Sequence, residues 1–264
     1  MVIAEARSEL LTQGFTMLDK AFSLSQINSA RRAQDAFARG EIDREPSFTW
    51  PKPRPRPNLR EFNGKIRSWR SPYATYFHSD FQALLHTPQF LSLLAEKTQA
   101  SSIRYWFDQL LWEEPSQGPI DPVYHWHRER SRWKTCRCEL MVTAWVPLAP
   151  LTLEMGPLSF IPESPTYYPP LDLTASWEPP NPSEVQPALV QPGGAVLFHW
   201  NAIHGNPPNL GFLPRRAIAL HFAIGPLRYQ ACNRFSHVNE RNVRVLNGEP
   251  DFTDSEVCPL LWTQ

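Results

Sequence analysis

Ile103-Arg104-Tyr105-Trp106-Phe107-Asp108-Gln109-Leu110-Leu111-Trp112 divides this chain in two. It alternates and is rich in aromatic residues, as a strand on a pleated, half-buried surface should be. Before it, the sequence reads mostly as helices. Ser8 to Gln13 predicts a short helix stopped at Gly14, then a short strand over Phe15–Leu18. Ser25 is placed to cap a helix running to Ala38, with Ile27, Ala30, Ala33 and Phe37 on its inner face and Gly40 as the stop signal. Phe81 to Leu85 reads as helical, and Thr87-Pro88 as the cap and first-turn proline of another helix reaching Lys97. After the dividing stretch come strands. Cys138–Leu148 reads as largely buried, Leu158–Ile161 as short, and Arg215–Ile224 as long. Ala188–Val190 and Ala195–Phe198 flank Pro192-Gly193-Gly194, a hairpin-like signal. Helices first and many short strands afterwards predict an α+β, mainly β protein built on a double sheet or barrel.

The 264 residues suit one large domain, and neither an internal repeat nor a linker divides them. The expected parts are a helical region over about residues 1–100, a β core over about 101–226 and an extension over about 227–264. Lys+Arg and Asp+Glu both number 26. That balance lacks the basic footprint of a nucleic-acid or membrane partner. No basic segment followed by an apolar core opens the chain, and no apolar run reaches membrane-spanning length, so a cytoplasmic protein is expected. Cys136 and Cys138 lack the spacer of a zinc knuckle, and with Cys232 and Cys258 they read as free thiols. The 28 prolines mark turns and loops. Residues 46–58 read as an extended loop crossing the surface or the site mouth, and Pro162–Gln186 as a lid or rim loop.

The chemistry centres on Tyr124-His125-Trp126-His127-Arg128-Glu129. His127 and Glu129 are two apart, so on a strand their side chains leave the same face. An imidazole and a carboxylate on one face make two legs of a metal site, and His204 is the candidate third. Two His and one carboxylate on one side of an ion leave positions open, the arrangement that suits non-haem Fe(II). A lone His-x-acid triplet arises by chance, so the surroundings decide.

Trp126-His127-Arg128-Glu129, Thr143-Ala144-Trp145-Val146-Pro147-Leu148, Gly156-Pro157-Leu158 and Ile161-Pro162-Glu163-Ser164 come in order. Gly193-Gly194-Ala195-Val196-Leu197-Phe198-His199, His204-Gly205-Asn206-Pro207-Pro208-Asn209 and Arg215-Arg216-Ala217-Ile218 complete the series. It resembles the phytanoyl-CoA dioxygenase family of Fe(II)/2-oxoglutarate-dependent oxygenases, over roughly residues 10 to 225. The resemblance implies a double-stranded β-helix (a cupin-like jelly roll) with the N-terminal helices packed outside. It implies His127, Glu129 and His204 as iron ligands, with 2-oxoglutarate and O2 as co-substrates. Arg215, 11 residues after His204, stands where the family binds the distal carboxylate of 2-oxoglutarate. A guanidinium suits that task because its planar fork holds a carboxylate bidentately and stays charged on burial. Trp145 resembles the aromatic on the co-substrate wall, and Gln109 is placed to donate to co-substrate or substrate. The sequence departs from the family at three points: Glu129 in place of Asp, Pro162-Glu163-Ser164-Pro165 in place of Pro-Gly-Ser-His, and Asn206 in place of a small hydroxyl residue at a co-substrate contact.

The expected activity is oxidation, by default hydroxylation, of an unactivated C–H in a small molecule, with 2-oxoglutarate leaving as succinate and CO2. Desaturation, ring closure and epoxidation stay open, and Glu129 argues against halogenation. A specialised-metabolite or amino-acid-derived substrate fits the breadth of the family. The reading from another class is a non-catalytic binding protein on the same fold. His125 shares a face with His127, so a three-His site of His125, His127 and His204 is an alternative. His199 and His221 read as packed histidines, Arg128 and Arg130 as solvated or paired, and Arg216 as structural. Lys65, Arg67, Arg70 and Arg104 are basic residues of which one could meet an anionic group. Tyr105-Trp106-Phe107 and Tyr167-Tyr168 would suit either an apolar pocket or the core.

Overall fold

The computed structural model describes residues 9–50, 60–62, 65–116, 126–167, 179, 181–232 and 237–264. In chain order the strands are β1 Phe15–Leu18, β2 Arg60–Phe62, β3 Lys65–Pro72, β4 Ser102–Glu113, β5 Cys136–Arg137 and β6 Leu140–Pro147. They continue with β7 Ser159–Phe160, β8 Gln186–Pro187, β9 Ala195–His199, β10 His204–Gly205 and β11 Arg215–Ile224. An eight-stranded sheet runs β1-β9-β6-β11-β4-β3-β2, and the C-terminal strand Leu260–Thr263 also joins it along β4. A small sheet, β10-β7-β8, lies against its inner face.

Apolar residues on both faces explain the layers. On the outer face lie α1 Leu24–Ala38, α2 Ala74–Phe77, α3 Ser79–Leu85 and α4 Pro88–Thr98. Ile27, Ala30, Ala33 and Phe37 of α1 are buried there, as their spacing predicts. Phe90 of α4 packs on Phe222 of β11 at 5.6 Å. On the inner face Trp145, Phe198, Ala217 and Ala219 meet Leu158 and Phe160 of the small sheet. Phe15 stacks on Phe160 at 4.4 Å, which seats β1 against that sheet. This is the expected two-layer β core with helices outside.

One irregularity positions the site. The register of β4 with β11 shifts between His221 and Phe222. A bulge of this kind changes which face each side chain takes. Tyr105 and Asp108, three apart, therefore meet: the Tyr105 hydroxyl donates to Asp108 Oδ2 at 2.6 Å. Asp108 also accepts from Thr75 Oγ1 at 2.7 Å and from the backbone N–H of Ala74 at 2.8 Å, fastening α2 to the sheet. Gln109, Leu111 and Glu113 are left on the inner face.

Three expectations change. The α1 cap is Ser23, not Ser25: Ser23 and Gln26 form a reciprocal capping box. The segments around Pro192-Gly193-Gly194 make no hairpin. β8 pairs with β7, whereas β9 pairs with β1 and β6, so this turn carries the chain from one sheet to the other. Arg104, offered from the sequence to an anionic group, turns to backbone instead: its guanidinium donates to the Cys258 carbonyl at 2.6 Å and holds the C-terminal segment. Tyr105 and Trp106 are fully buried in the outer core. The four cysteines are free. Residues 51–59 of the proline-rich loop and 168–178 of the expected rim loop lie outside the described residues, as do the side chains of Lys65, Arg67 and Tyr167. No described helix is long and apolar enough to cross a membrane.

Candidate metal centre and its cavity

His127 and Glu129 reach one side of the backbone by a different route from the one their spacing suggests. They do not share a strand. His127 forms a single bridge to His204, with backbone N–H···O distances of 2.9 and 3.0 Å in the two directions. The chain then enters a 3-10 turn over Glu129–Ser131. That turn swings the Glu129 carboxylate back toward both imidazoles. Nε2 of His127 and Nε2 of His204 each lie 3.6 Å from Glu129 Oε1. The ligand atoms of all three residues lie within 4.8 Å of one another. Donors about 2.1 Å from one ion and at right angles would sit roughly 3 Å apart, so small side-chain adjustments suffice.

The surroundings fix the donors. His204 Nδ1 donates to the Ala202 carbonyl at 3.1 Å, which leaves Nε2 as the lone-pair nitrogen toward Glu129. The Ile203 N–H donates to Ser164 Oγ at 2.8 Å, so the Pro162-Glu163-Ser164-Pro165 departure still braces the turn before His204. Burial, then the nearby His204, push the His127 pKa down to about 4. Burial alone would raise the pKa of Glu129, but the His127 and His204 rings facing it outweigh that and hold the carboxyl well below its ordinary range. At neutral pH His127 is therefore neutral and Glu129 charged, the states in which both bind a metal ion.

The three residues line one shared cavity. Gln109, Trp145, Asn206 and Arg215 line it too, so every site residue singled out in the sequence reaches this one space. Trp145 is 2% exposed, and its indole N–H has no hydrogen-bond partner among the described residues. A buried donor without an acceptor costs about 1–3 kcal/mol, so it fits a cavity whose ligand brings an oxygen.

Arg215 differs from its expected role. The resemblance offers its guanidinium to a ligand carboxylate, but here a protein carboxylate holds it. Glu113, its cross-strand neighbour on β4, forms an ion pair with it, and both are buried. Nη1 also donates to the carbonyls of Met155 at 2.8 Å, Pro207 at 3.0 Å, and Gly156. Arg215 thus ties the 155–156 and 207 loops to the sheet while still lining the cavity. Arg70, one of the basic residues offered to an anionic group, also lines the cavity, as does Glu113, which the sequence does not single out. Glu113 becomes visible only once the β4–β11 register places it opposite Arg215.

Gly156 holds this cluster together. Its φ is +64°, and an added Cβ would collide with the carbonyl oxygens of Pro207 and Pro208, the latter at 2.6 Å. Gly156→Ala is expected to destabilise the protein by about 2–4 kcal/mol, combining left-handed backbone strain with overpacking. Thermal unfolding measures this, and an unchanged melting temperature would contradict it.

His221 and His199 are packed. His221 is 2% exposed, hydrogen-bonds Thr143 through Nδ1 at 2.7 Å and stacks on Phe107. It lines the cavity as well, and burial pushes its pKa down to about 4. His199 accepts the Asn201 N–H at 2.9 Å. His125 lies outside the described residues. Arg128 is buried, not solvated, and donates to the Asn201 carbonyl at 3.0 Å. Arg130 lies over Trp200, and Arg216 pairs with Asp35 and stacks on Trp112, as its structural reading requires.

Residues 11–217 match the model of the phytanoyl-CoA dioxygenase (PhyH) family, well over half of the chain. The chain belongs to the PhyH family. Solved structures similar to this family member include non-haem, α-ketoglutarate-dependent enzymes. The α-ketoglutarate-dependent carbocyclase SnoK from nogalamycin biosynthesis is 18% identical, with a TM-score of 0.73 covering 98% of this chain and 96% of its own. The epimerase SnoN, in complex with Fe3+, α-ketoglutarate and nogalamycin RO, is 15% identical, with a TM-score of 0.72 covering 99% of each chain. EvdO2 from Micromonospora carbonacea var. aurantiaca, complexed with 2-oxoglutarate, is 20% identical, with a TM-score of 0.60 covering 86% of this chain and 93% of its own. At these identities the likeness establishes the jelly-roll fold of this PhyH protein. No curated protein sequence matches it.

Proposed function

We propose that this PhyH-family chain is an Fe(II)/2-oxoglutarate-dependent oxygenase acting on a small organic molecule. The observation that carries the reading is the convergence of His127, Glu129 and His204 in a cavity that Arg215 also lines. His127, Glu129 and His204 would hold the ion from one side. With ferrous iron, 2-oxoglutarate and O2 bound, such a centre oxidises an unactivated C–H bond as the co-substrate leaves as succinate and CO2. The Arg215 end receives the far carboxylate, and the Trp145 N–H donates to a ligand oxygen. Gln109 and Asn206 offer further polar contacts. Leu158, Phe198, Ala217 and Ala219 make the apolar wall that excludes water. Glu129 fills the position that a halide would need, so oxygenation and not halogenation is the outcome.

Hydroxylation is the default product. The carbocyclase and epimerase chemistry of the structural neighbours favours ring closure or epimerisation as the second reading, since all begin at a C–H bond and placement of the substrate decides the rest. The test supplies purified protein with Fe(II), 2-oxoglutarate, O2 and a broad panel of small molecules. Succinate is expected in step with a product heavier by one oxygen, lighter by two hydrogens if a ring closes, or of unchanged mass if a centre is epimerised with an added two-electron reductant. Absence of succinate across the panel would favour the non-catalytic binding protein.

A further inference from the structure

His221 is buried in the cavity wall with half of its hydrogen-bonding capacity unused. It shares a face of β11 with Arg215, Ala217 and Ala219, and all four line the cavity. Its Nδ1 bonds the hydroxyl of Thr143, its neighbour on β6, at 2.7 Å. Phe107 stacks on the ring at 5.8 Å and Trp133 meets it in a T-shape at 4.8 Å, so the ring is held in one orientation. Nδ1 lies at the root of the imidazole and is drawn sideways toward β6. Nε2, at the tip, therefore stands off the sheet into the cavity, and no described residue hydrogen-bonds to it.

Thr143 sets the tautomer. Its hydroxyl is fully buried, and His221 is its one side-chain partner among the described residues. If Nδ1 carried the proton and donated, the hydroxyl hydrogen would be buried without an acceptor. If the hydroxyl donates to Nδ1, that cost disappears and the ring proton sits on Nε2. His221 then presents an N–H donor to the cavity, and a buried donor fits a ligand that brings an acceptor oxygen. Distance decides which ligand. Arg215 and His221 are six positions apart on β11, about 20 Å between Cα atoms at about 3.3 Å per residue, with side chains standing off the sheet. Five carbons in a chain span about 5 Å at bond lengths of about 1.5 Å. A 2-oxoglutarate anchored at Arg215 ends well short of His221. The His221 ring is nevertheless within electrostatic reach of Glu129 and His204, beside the metal group.

We infer that His221 contacts the organic substrate and selects it, its Nε2–H donating to a carbonyl or hydroxyl oxygen close to the carbon that is oxidised. Within the oxygenase reading above, on which this rests, the substrate class is molecules with an acceptor oxygen near the reacting carbon, in place of plain hydrocarbons. Thr143 is a positioning residue that fixes the ring proton.

The probes are cyclohexanone and methylenecyclohexane, which share a shape and differ by the acceptor oxygen. Ligand-observed NMR titration gives the affinity of each for the zinc-substituted protein with 2-oxoglutarate, in which nothing turns over. The ketone-to-alkene affinity ratio is expected to fall roughly 10-fold or more in His221→Phe. It should fall less in His221→Gln, whose amide keeps a donor, and partly in Thr143→Val, which keeps the ring but frees its proton. Fe(II) and 2-oxoglutarate affinities should not change. Nitrogen-15 NMR of the same zinc-substituted wild type should show His221 protonated on Nε2, whether or not the His221→Phe variant folds. An unchanged ratio in the His221 variants, failure of the ketone to bind the wild type, or a proton on Nδ1 would overturn the proposal. So would a loss of 2-oxoglutarate affinity in step with the ketone, the mark of a merely structural residue. If the wild type takes up Fe(II) but no 2-oxoglutarate, the oxygenase reading itself fails, and a ketone preference that still depends on His221 would make it a ligand contact of a binding protein, with no substrate role.

Discussion

Glu129→Ala is expected to lower turnover by more than about 100-fold and to weaken Fe(II) binding at least as much, since even residues that only orient metal ligands typically cost 10- to 100-fold. The carboxylate lies 3.6 Å from both imidazole Nε2 atoms and is the only acidic member of the group. Removing it leaves two neutral nitrogens, which hold a hard ferrous ion poorly. Fe(II) titration and succinate formation measure the two effects separately. Turnover at the wild-type level would show that Glu129 is no ligand and would bring back the set containing His125.

Arg215→Leu is expected to be the most damaging single change to stability. It leaves the Glu113 carboxylate, 9% exposed, without its partner and takes the donor from the Met155, Gly156 and Pro207 carbonyls. Breaking a buried pair from one side costs about 3–5 kcal/mol, which for a chain of this size lowers the melting temperature by roughly 10 °C. Replacing both members, as in Arg215→Leu with Glu113→Leu, should restore much of the stability, because no charge is stranded. It should not restore 2-oxoglutarate binding. That split separates the structural task of Arg215 from its ligand task. A single variant melting like the wild type would show that the ion pair carries no stability.

The long strands were legible because their signal is local. β4, β6 and β11, eight to twelve residues long, are rich in apolar, aromatic and β-branched side chains, and no helical period competes with that. The inner face of α1 was legible for the same reason. Its cap was not: Ser23 and Ser25 are equally good N-cap residues, and only Gln26 reaching back to Ser23 decides between them. Likewise Gly193 read as a hairpin turn, although the strands on either side belong to different sheets. That choice depends on which partners the strands find elsewhere in the chain.

In the site, residue identities were more visible than geometry. The His-x-Glu spacing drew attention to the right pair, but a 3-10 turn and not a strand brings Glu129 to the histidines. Arg215 was found from the family resemblance, which places an arginine at that distance after the distal His, whereas its carboxylate partner depends on cross-strand register and left no local trace. Arg70 was one of several basic residues with equal claims, and only the pairing of β3 with β4 turns it into the cavity.

The shared metal and keto-acid site is tested most directly by anaerobic titration of the protein with Fe(II) and then 2-oxoglutarate, followed by visible absorption. A weak charge-transfer band that saturates with 2-oxoglutarate in the wild type and is missing in His204→Ala is the expected result. Tight Fe(II) uptake with no band at any 2-oxoglutarate concentration, or an undiminished band in His204→Ala, would contradict it.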